Sequence, residues 1–229
     1  MASAPTWAAD PQPRITPNLR PVTARAEWLT LEGDAARWRS IGLTVADDGL
    51  IPLIGTSLRL VAHSGDTAAP SGITGWALSG APSHDAFVDG LRTEHVPAGE
   101  PVFAAHALGA SGLDHVVVLT ADLQRTSDAI ALATGCELKR IREVGEMRQG
   151  FHRIGPGGLI VELVERPDVP EGPASFWGLV INVDDLDAAC DLLGPERISA
   201  PRDAVQPGRR IATLRGSVDL GVPIALMTT

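Results

Sequence analysis

The sequence predicts an α+β fold in which tandem βαβββ units pair into curved mixed-sheet cups. Three observations lead there. A β-branched run, Leu113–Leu119, is followed by a helical stretch, Leu123–Ala133, and by three strand-like runs at Cys136–Glu143, Arg148–Ile154 and Leu159–Glu165. From Phe176 the same order returns, and setting Asp122-Leu123 on Asp185-Leu186 also sets Gly158-Leu159 on Gly221-Val222. Finally, a unit this small cannot cover one face of a four-stranded sheet alone, so two must share one curved sheet around a common cavity.

Each element has a local reason. Residues 1–22 hold five prolines and no hydrophobic period, which reads as an extended Pro-rich arm. Ala26–Leu31 reads as a strand, and Asp34–Ile41 as a short helix closed by Gly42. Leu43–Val45, Leu50–Leu53 and Ser57–Ala62 read as three strands. Gly72–Ser79 with Trp76 is a further strand, and His84–Leu91 a helix in a shortened unit. In the second half Asp122 or Thr120 can cap the helix that Gly135 ends, and Gly145 and Gly155-Pro156-Gly157-Gly158 are turns. Phe176–Val183 is a strand, and Asp184-Asp185 opens a helix that runs to Leu193 and stops at Gly194-Pro195. Strands follow near 197–199, 210–215 and 222–228. The domain reading is an arm over 1–22, a degenerate domain over 23–108 and a better-preserved one over 112–229, with modules at about 112–166 and 175–229.

Composition narrows the chemistry. The 229 residues are 44% hydrophobic and carry a net charge of −9, which describes a globular chain and argues against nucleic acid as a partner. No run approaches the roughly 20 apolar residues of a membrane span. Lys139 is the only lysine and tyrosine is absent, which disfavours Schiff-base or tyrosine catalysis. Cys136 and Cys190 lack metal-site spacing and read as reduced thiols. Met1–Asp10 has no signal-peptide pattern, so a cytoplasmic location is expected. No GxSxG, P-loop, dinucleotide fingerprint or HExxH occurs. His63, His84, His95 and His106 have no ligand spacing and read as surface or turn residues.

Leu113-Asp114-His115-Val116-Val117-Val118 with Asp122-Leu123, the run Gly157 to Leu163, and Trp177 to Leu186 together resemble the vicinal oxygen chelate superfamily, the glyoxalase, bleomycin-resistance and extradiol dioxygenase group. The resemblance covers 112–229 well and 23–108 weakly. It implies a half-open cup in which the first and last strands of a unit hold a divalent metal (Fe, Mn, Zn or Ni). In this sequence those positions are His115 and Glu162; in the partner unit they are Gly178 and Ala225, which bind no metal. His152 is the candidate third ligand. Arg148, His152, Arg153 and Arg210 are candidates to clamp a carboxylate or enolate, and Trp177, Phe151 and Met227 to line the cavity.

The function expected is binding or conversion of a small oxygenated metabolite in the cup. A metal at His115 and Glu162 would suit lyase or isomerase chemistry better than ring cleavage, because Gly178 removes a ligand. The alternatives are metal-free sequestration, as the bleomycin-resistance branch suggests, or a non-catalytic homo-oligomer. A homodimer is expected, with no nucleic-acid or membrane partner.

Overall fold

The structure is a computed structural model that describes residues 24–62 and 72–229. The proline-rich arm expected over 1–22, and His63, lie outside the described residues. Two mixed sheets carry the chain, one built from residues 25–95 and the other from 110–228.

The first sheet opens with β1 (Arg25–Glu32), then α1 (Ala35–Ser40), β2 (Leu50–Ile51) and β3 (Ser57–Val61). It continues with β4 (Ile73–Ser79), β5 (Phe87–Val88) and β6 (Leu91–His95). The strand order is β2-β3-β1-β4-β6-β5. β1 lies parallel to β3 and antiparallel to β4, and β4 lies parallel to β6. Trp38 on α1 is fully buried among the core residues with Leu29, Leu31 and Leu58.

The second sheet holds β7 (Ala110–Thr120), α2 (Leu123–Thr134), β8 (Arg140–Val144), β9 (Met147–Arg153) and β10 (Ile160–Glu165). After these come β11 (Ser175–Val183), α3 (Leu186–Leu193), β12 (Arg202–Asp203), β13 (Arg210–Thr213) and β14 (Ile224–Thr228). Its order is β12-β13-β14-β11-β7-β10-β9-β8. The two first strands, β7 and β11, meet antiparallel at the centre, and each pairs in parallel with its own unit's last strand, β10 or β14. The repeat seen in the sequence is real at the level of hydrogen bonds. Asp122 and Asp185 cap α2 and α3 alike, each accepting from a backbone N–H three residues on at 3.0 Å. The interval between those caps also separates the pair Val117–Glu162 from the pair Val180–Ala225.

α2 buries Leu123, Thr126, Ser127, Ile130, Ala133 and Thr134, the i, i+3, i+4, i+7 stripe of a core helix. It covers the face of the sheet that carries Val116, Val118, Val161 and Leu163, all fully buried. The opposite face stays open and forms the cup. Gly135 ends α2 in the left-handed region, φ 70°, where glycine carries no Cβ penalty.

Four local expectations are corrected. His84–Leu91 is not a helix: Phe87-Val88 and Leu91-Arg92 pair across a two-residue turn in which Asp89 and Gly90 have φ of 45° and 90°. An Asp-Gly pair between short apolar runs is a hairpin signal, and it outweighs the helical spacing. Leu43–Val45 is not a strand, because Thr44 gives its N–H to His106 Nδ1 at 3.0 Å rather than to a ladder. The strand expected from Cys136 starts at Arg140. Only Ile198, in a lone bridge to Leu214, remains of the strand at 197–199.

The halves are tied together as well as joined in sequence. Asp89 in the β5–β6 turn accepts from Arg125 Nε at 3.0 Å and from the Thr126 hydroxyl, both on α2. Trp76 meets Phe176 edge to face at 5.9 Å, and Ile54 bridges to Gly112. One continuous hydrophobic core spans both sheets.

Candidate functional site

Strand register decides what the cup presents. Directly paired residues share a face, so Arg153, Ile160, His115, Val180, Ala225 and Thr213 form one row across the sheet. A neighbouring row runs Arg140, Phe151, Glu162, Val117, Gly178, and another Asn182, Met227, Ile211, Arg202. His115 and Glu162 therefore stand on the open face of adjacent strands. Two adjoining cavities share them: one of about 560 Å³ toward Arg209 and Gly158, and one of about 480 Å³ toward Arg202 and Met227.

A chain of polar contacts crosses the cup floor. His115 Nδ1 lies 2.7 Å from Asp114 Oδ1, and since a carboxylate only accepts, Nδ1 carries the proton. The other ring nitrogen, Nε2, lies 3.3 Å from Glu162 Oε2. Glu162 Oε1 accepts from Gln149 Nε2, while Gln149 Oε1 is buried with no donor. On the far side Arg209 divides its donors among Asp114 Oδ2, Asn182 Oδ1 and the Thr228 carbonyl, each at 2.6 Å. Burial alone would raise the Asp114 carboxyl. The hydrogen bonds and charges of His115 and Arg209 outweigh it and hold Asp114 below the usual carboxylate range. Asp114 and His115 are neighbours in sequence yet both reach the site, because β7 shifts register there: Val180 pairs with His115 and Ile181 with Leu113, which leaves Asp114 as an extra residue.

The structure brings together only some of the residues expected from sequence. His115 and Glu162 meet. Phe151, Arg153 and Met227 are on the cup face; Arg153 is exposed and gives Nη1 to the Gly158 carbonyl, and Met227 is buried in the second cavity's wall. His152 turns the other way. Its ring is buried against α2, with Nδ1 2.9 Å from the Cys136 carbonyl and Nε2 3.0 Å from Ser127 Oγ, so both nitrogens are committed as a neutral imidazole. Burial pushes its pKa below the ordinary histidine value. Arg148 is also on the helix side, paired with Glu165, whose carboxylate accepts from the Leu123 N–H. Arg210 pairs with Asp187 on α3, which raises its pKa further. Trp177 is half exposed and borders neither cavity.

Six site residues were not anticipated: Asp114, Arg140, Arg142, Gln149, Arg202 and Arg209. A signal existed for three of them. The two-residue turn at Gly145-Glu146 fixes the β8–β9 register, and alternation from it puts Arg140 opposite Phe151 and Arg142 opposite Gln149 on one face.

A divalent metal implied by the resemblance meets half a site. A 3.3 Å separation of His115 Nε2 and Glu162 Oε2 suits two ligands that each bind one ion at roughly 2.0–2.2 Å. Among the described residues no group of three or more His, Cys, Asp or Glu is placed to hold an ion. The protein's own donors among the described residues thus fall one short of the usual three.

No family model matches the chain, and no curated protein matches it. Solved structures do. A substituted form of 4-hydroxymandelate synthase from Streptomyces coelicolor superposes on 90% of this chain and 92% of its own, with a TM-score of 0.59 at 16% identity. Methylmalonyl-CoA epimerase from Mycobacterium tuberculosis is similar over 52% of this chain and 89% of its own, with a TM-score of 0.44 at 22% identity. The Streptomyces coelicolor epimerase covers 52% and 95%, with a TM-score of 0.43 at 20% identity. The first of these matches runs through both sheets, and at 16% identity it speaks for architecture alone: this chain has the fold of the vicinal oxygen chelate superfamily.

Proposed function

We propose that the cup of the second sheet binds a small oxygenated metabolite, with His115 and Glu162 touching it and moving a proton to or from it. The observation that carries this reading is the chain Arg209–Asp114–His115–Glu162–Gln149 along the floor shared by two cavities of about 560 and 480 Å³. Asp114 fixes the tautomer and the ring plane, so that Nε2 is aimed at Glu162 and into the cup. When one proton is shared between Nε2 and Oε2, one of the pair is an acid and the other a base, and together they can take a proton from one atom of a ligand and return it to another, the chemistry of an isomerase or lyase. Binding without turnover is the plainer form of the same reading.

The test is ligand-observed NMR on a panel of small oxygenated metabolites against wild type, His115→Gln and Glu162→Gln. Hits should weaken by roughly tenfold or more in both variants, as expected when a directed hydrogen bond to a charged group is lost. Hits that bind all three proteins equally would remove the cup from consideration.

A second reading is supported by the donor separation. A divalent ion (Fe, Mn, Zn or Ni) would use His115 Nε2 and Glu162 Oε2, with Asp114 orienting the imidazole from behind, as outer-shell carboxylates do. Calorimetric titration with Mn²⁺, Ni²⁺ and Zn²⁺ tests it. Stoichiometric heat in wild type that His115→Ala abolishes would establish the ion, and a flat trace would end this reading.

The proposal also takes the chain as a cytoplasmic homodimer with an N-terminal domain over 23–108 and a C-terminal one over 112–229. Exposed Ile54 and Phe103 support a partner surface, and the two sheets share no strand. No helix among the described residues is long and apolar enough to cross a membrane. Light scattering on the eluting protein decides the dimer.

A further inference from the structure

Away from the cup, six of the eleven described arginines have a carboxylate within 4.0 Å: Arg37 with Asp219, Arg59 with Asp48, Arg125 with Asp89, Arg148 with Glu165, Arg166 with Asp168 and Arg210 with Asp187. Around the cup, Lys139, Arg140, Arg142, Arg153 and Arg202 line one or both cavities, and none has a carboxylate within 4.0 Å among the described residues. Only two carboxylates line these cavities, Asp114 and Glu162, and both are already engaged, by Arg209 and His115 and by Gln149 and His115. The negative side chains nearby on β8 and β12 point elsewhere. Glu143 stands opposite Arg148 on the helix side, and Asp203 stands opposite Arg210.

This grouping runs against the charge of the whole chain. A protein with a net charge of −9 collects five uncompensated cations around one concavity, where a low-dielectric wall concentrates their field. The geometry is also suited to one end of a ligand. Arg142 and Arg202 border the same cavity of about 480 Å³ from opposite edge strands, β8 and β12. Arg140 Cζ lies over the Phe151 ring, 4.8 Å from its centroid, a cation–π contact that fixes the guanidinium at the cavity. A guanidinium fork makes parallel hydrogen bonds to the oxygens of a carboxylate or phosphate. The cavities are too small for a polynucleotide, which leaves a small anion.

We propose that the mouth of the cup is an anion subsite, in which Arg142 and Arg202, aided by Arg140, hold a dianionic group of a small metabolite: a phosphate ester or a dicarboxylate. This rests on the cup being the binding site, and it names the class of ligand. The anionic end sits at the β8 and β12 edges while the reacting end reaches His115 and Glu162.

The experiment titrates inorganic pyrophosphate and, separately, malonate into ¹⁵N-labelled protein and follows amide shifts, at low and at high NaCl. Three proteins are compared: wild type, the double variant Arg142→Ser with Arg202→Ser, and the control Arg92→Ser. Neither arginine's side chain makes a hydrogen bond or ion pair among the described residues, so the double variant should keep its melting temperature, which is measured first. Saturable binding is expected in wild type, roughly tenfold or more weaker in the double variant and weaker at high salt, as for charge-assisted contacts. Arg92→Ser, which removes an exposed arginine of the first sheet, should bind the probe within about twofold of wild type, because Arg92 borders neither cavity of the cup. Tighter binding of pyrophosphate assigns the phosphate class, and of malonate the dicarboxylate class. Absence of saturable binding by either probe, or equal binding by the double variant, overturns the subsite. Loss of the wider reading looks different: metabolites would then ignore His115 and Glu162 substitutions while pyrophosphate still bound at the mouth.

Discussion

The two βαβββ units of the second sheet share a backbone and differ in what stands on their open face. At matching positions the first unit has His115 and Glu162 and the second has Gly178 and Ala225. The two losses are unlike. A Cβ on Gly178 would lie 2.9 Å from the Pro223 carbonyl oxygen and 3.2 Å from Pro223 Cβ, so the neighbouring chain has closed over that position. Ala225 is only partly buried, on the cup face. One half of the second site is closed by packing and the other merely lacks a side chain. Shared fold and separate chemistry can therefore sit within one sheet, because chemistry depends on which side chains the open face carries.

The largest expected effect belongs to the feature the second unit lacks. Asp114→Ala removes the partner of Arg209, whose guanidinium side chain is 20% exposed, and leaves that charge poorly compensated. Breaking a buried ion pair costs about 3–5 kcal/mol, and the residual exposure places this one near the lower end. Arg209→Ala should cost a similar amount, and the double variant clearly less than the sum, read by urea unfolding. Additive losses would show that the two residues act independently. Next comes the closed position. Gly178→Ala should destabilise by about 1–3 kcal/mol through overpacking against Pro223, whereas Ala225→Glu should cost about 1 kcal/mol or less. Equal costs would remove the distinction between a closed and an open position.

Much of this pairing was legible in the sequence, and the reason is local. The caps Asp122 and Asp185, the stop at Gly135 and the β-branched runs of β7, β10 and β11 each act within a few residues of where they stand. The resemblance to the vicinal oxygen chelate group also put His115 and Glu162 together on the cup face. The polar floor was harder to read. Asp114 reaches the site through a β-bulge, which breaks the alternation a reader relies on, and Arg209 arrives from a loop whose position no period describes. His152 and Arg148 were expected on the wrong face because the phase of β9 is set by Gly150, which faces α2 where an added Cβ would stand 3.2 Å from Leu123 Cδ2. The hairpin at Asp89-Gly90 shows the opposite failure, in which a clear turn signal was passed over for a helical spacing.

If the backbones are equivalent, the caps should be too. Asp122→Ala and Asp185→Ala should each cost about 1 kcal/mol by removing one acceptor from a helix N-terminus. A marked inequality would show that α2, which also holds Asp89 of the first sheet, is tied in more ways than its counterpart.

The smallest effect separates the units by pH. His152 stands opposite Val161, and the matching place in the second unit, opposite Ile224, is held by Leu214, so only the first unit buries an imidazole. Burial lowers the folded pKa of His152 below the unfolded value near 6.5. Its contribution to stability is therefore complete above about pH 6.5 and lost as pH falls through the lowered folded value, because the unfolded chain then binds the extra proton. Asp114 acts in a different window: its stabilisation is present above its unfolded value near 3.8 and is lost only as pH falls through the depressed folded one. Urea midpoints at pH 7.5 and 5.5 should thus drop more in wild type than in His152→Gln, which retains an amide toward Ser127 but cannot titrate, while Asp114→Asn should leave that interval's slope unchanged. Parallel midpoints for wild type and His152→Gln would mean that water reaches the ring and that the α2 face of the first unit is no drier than that of the second.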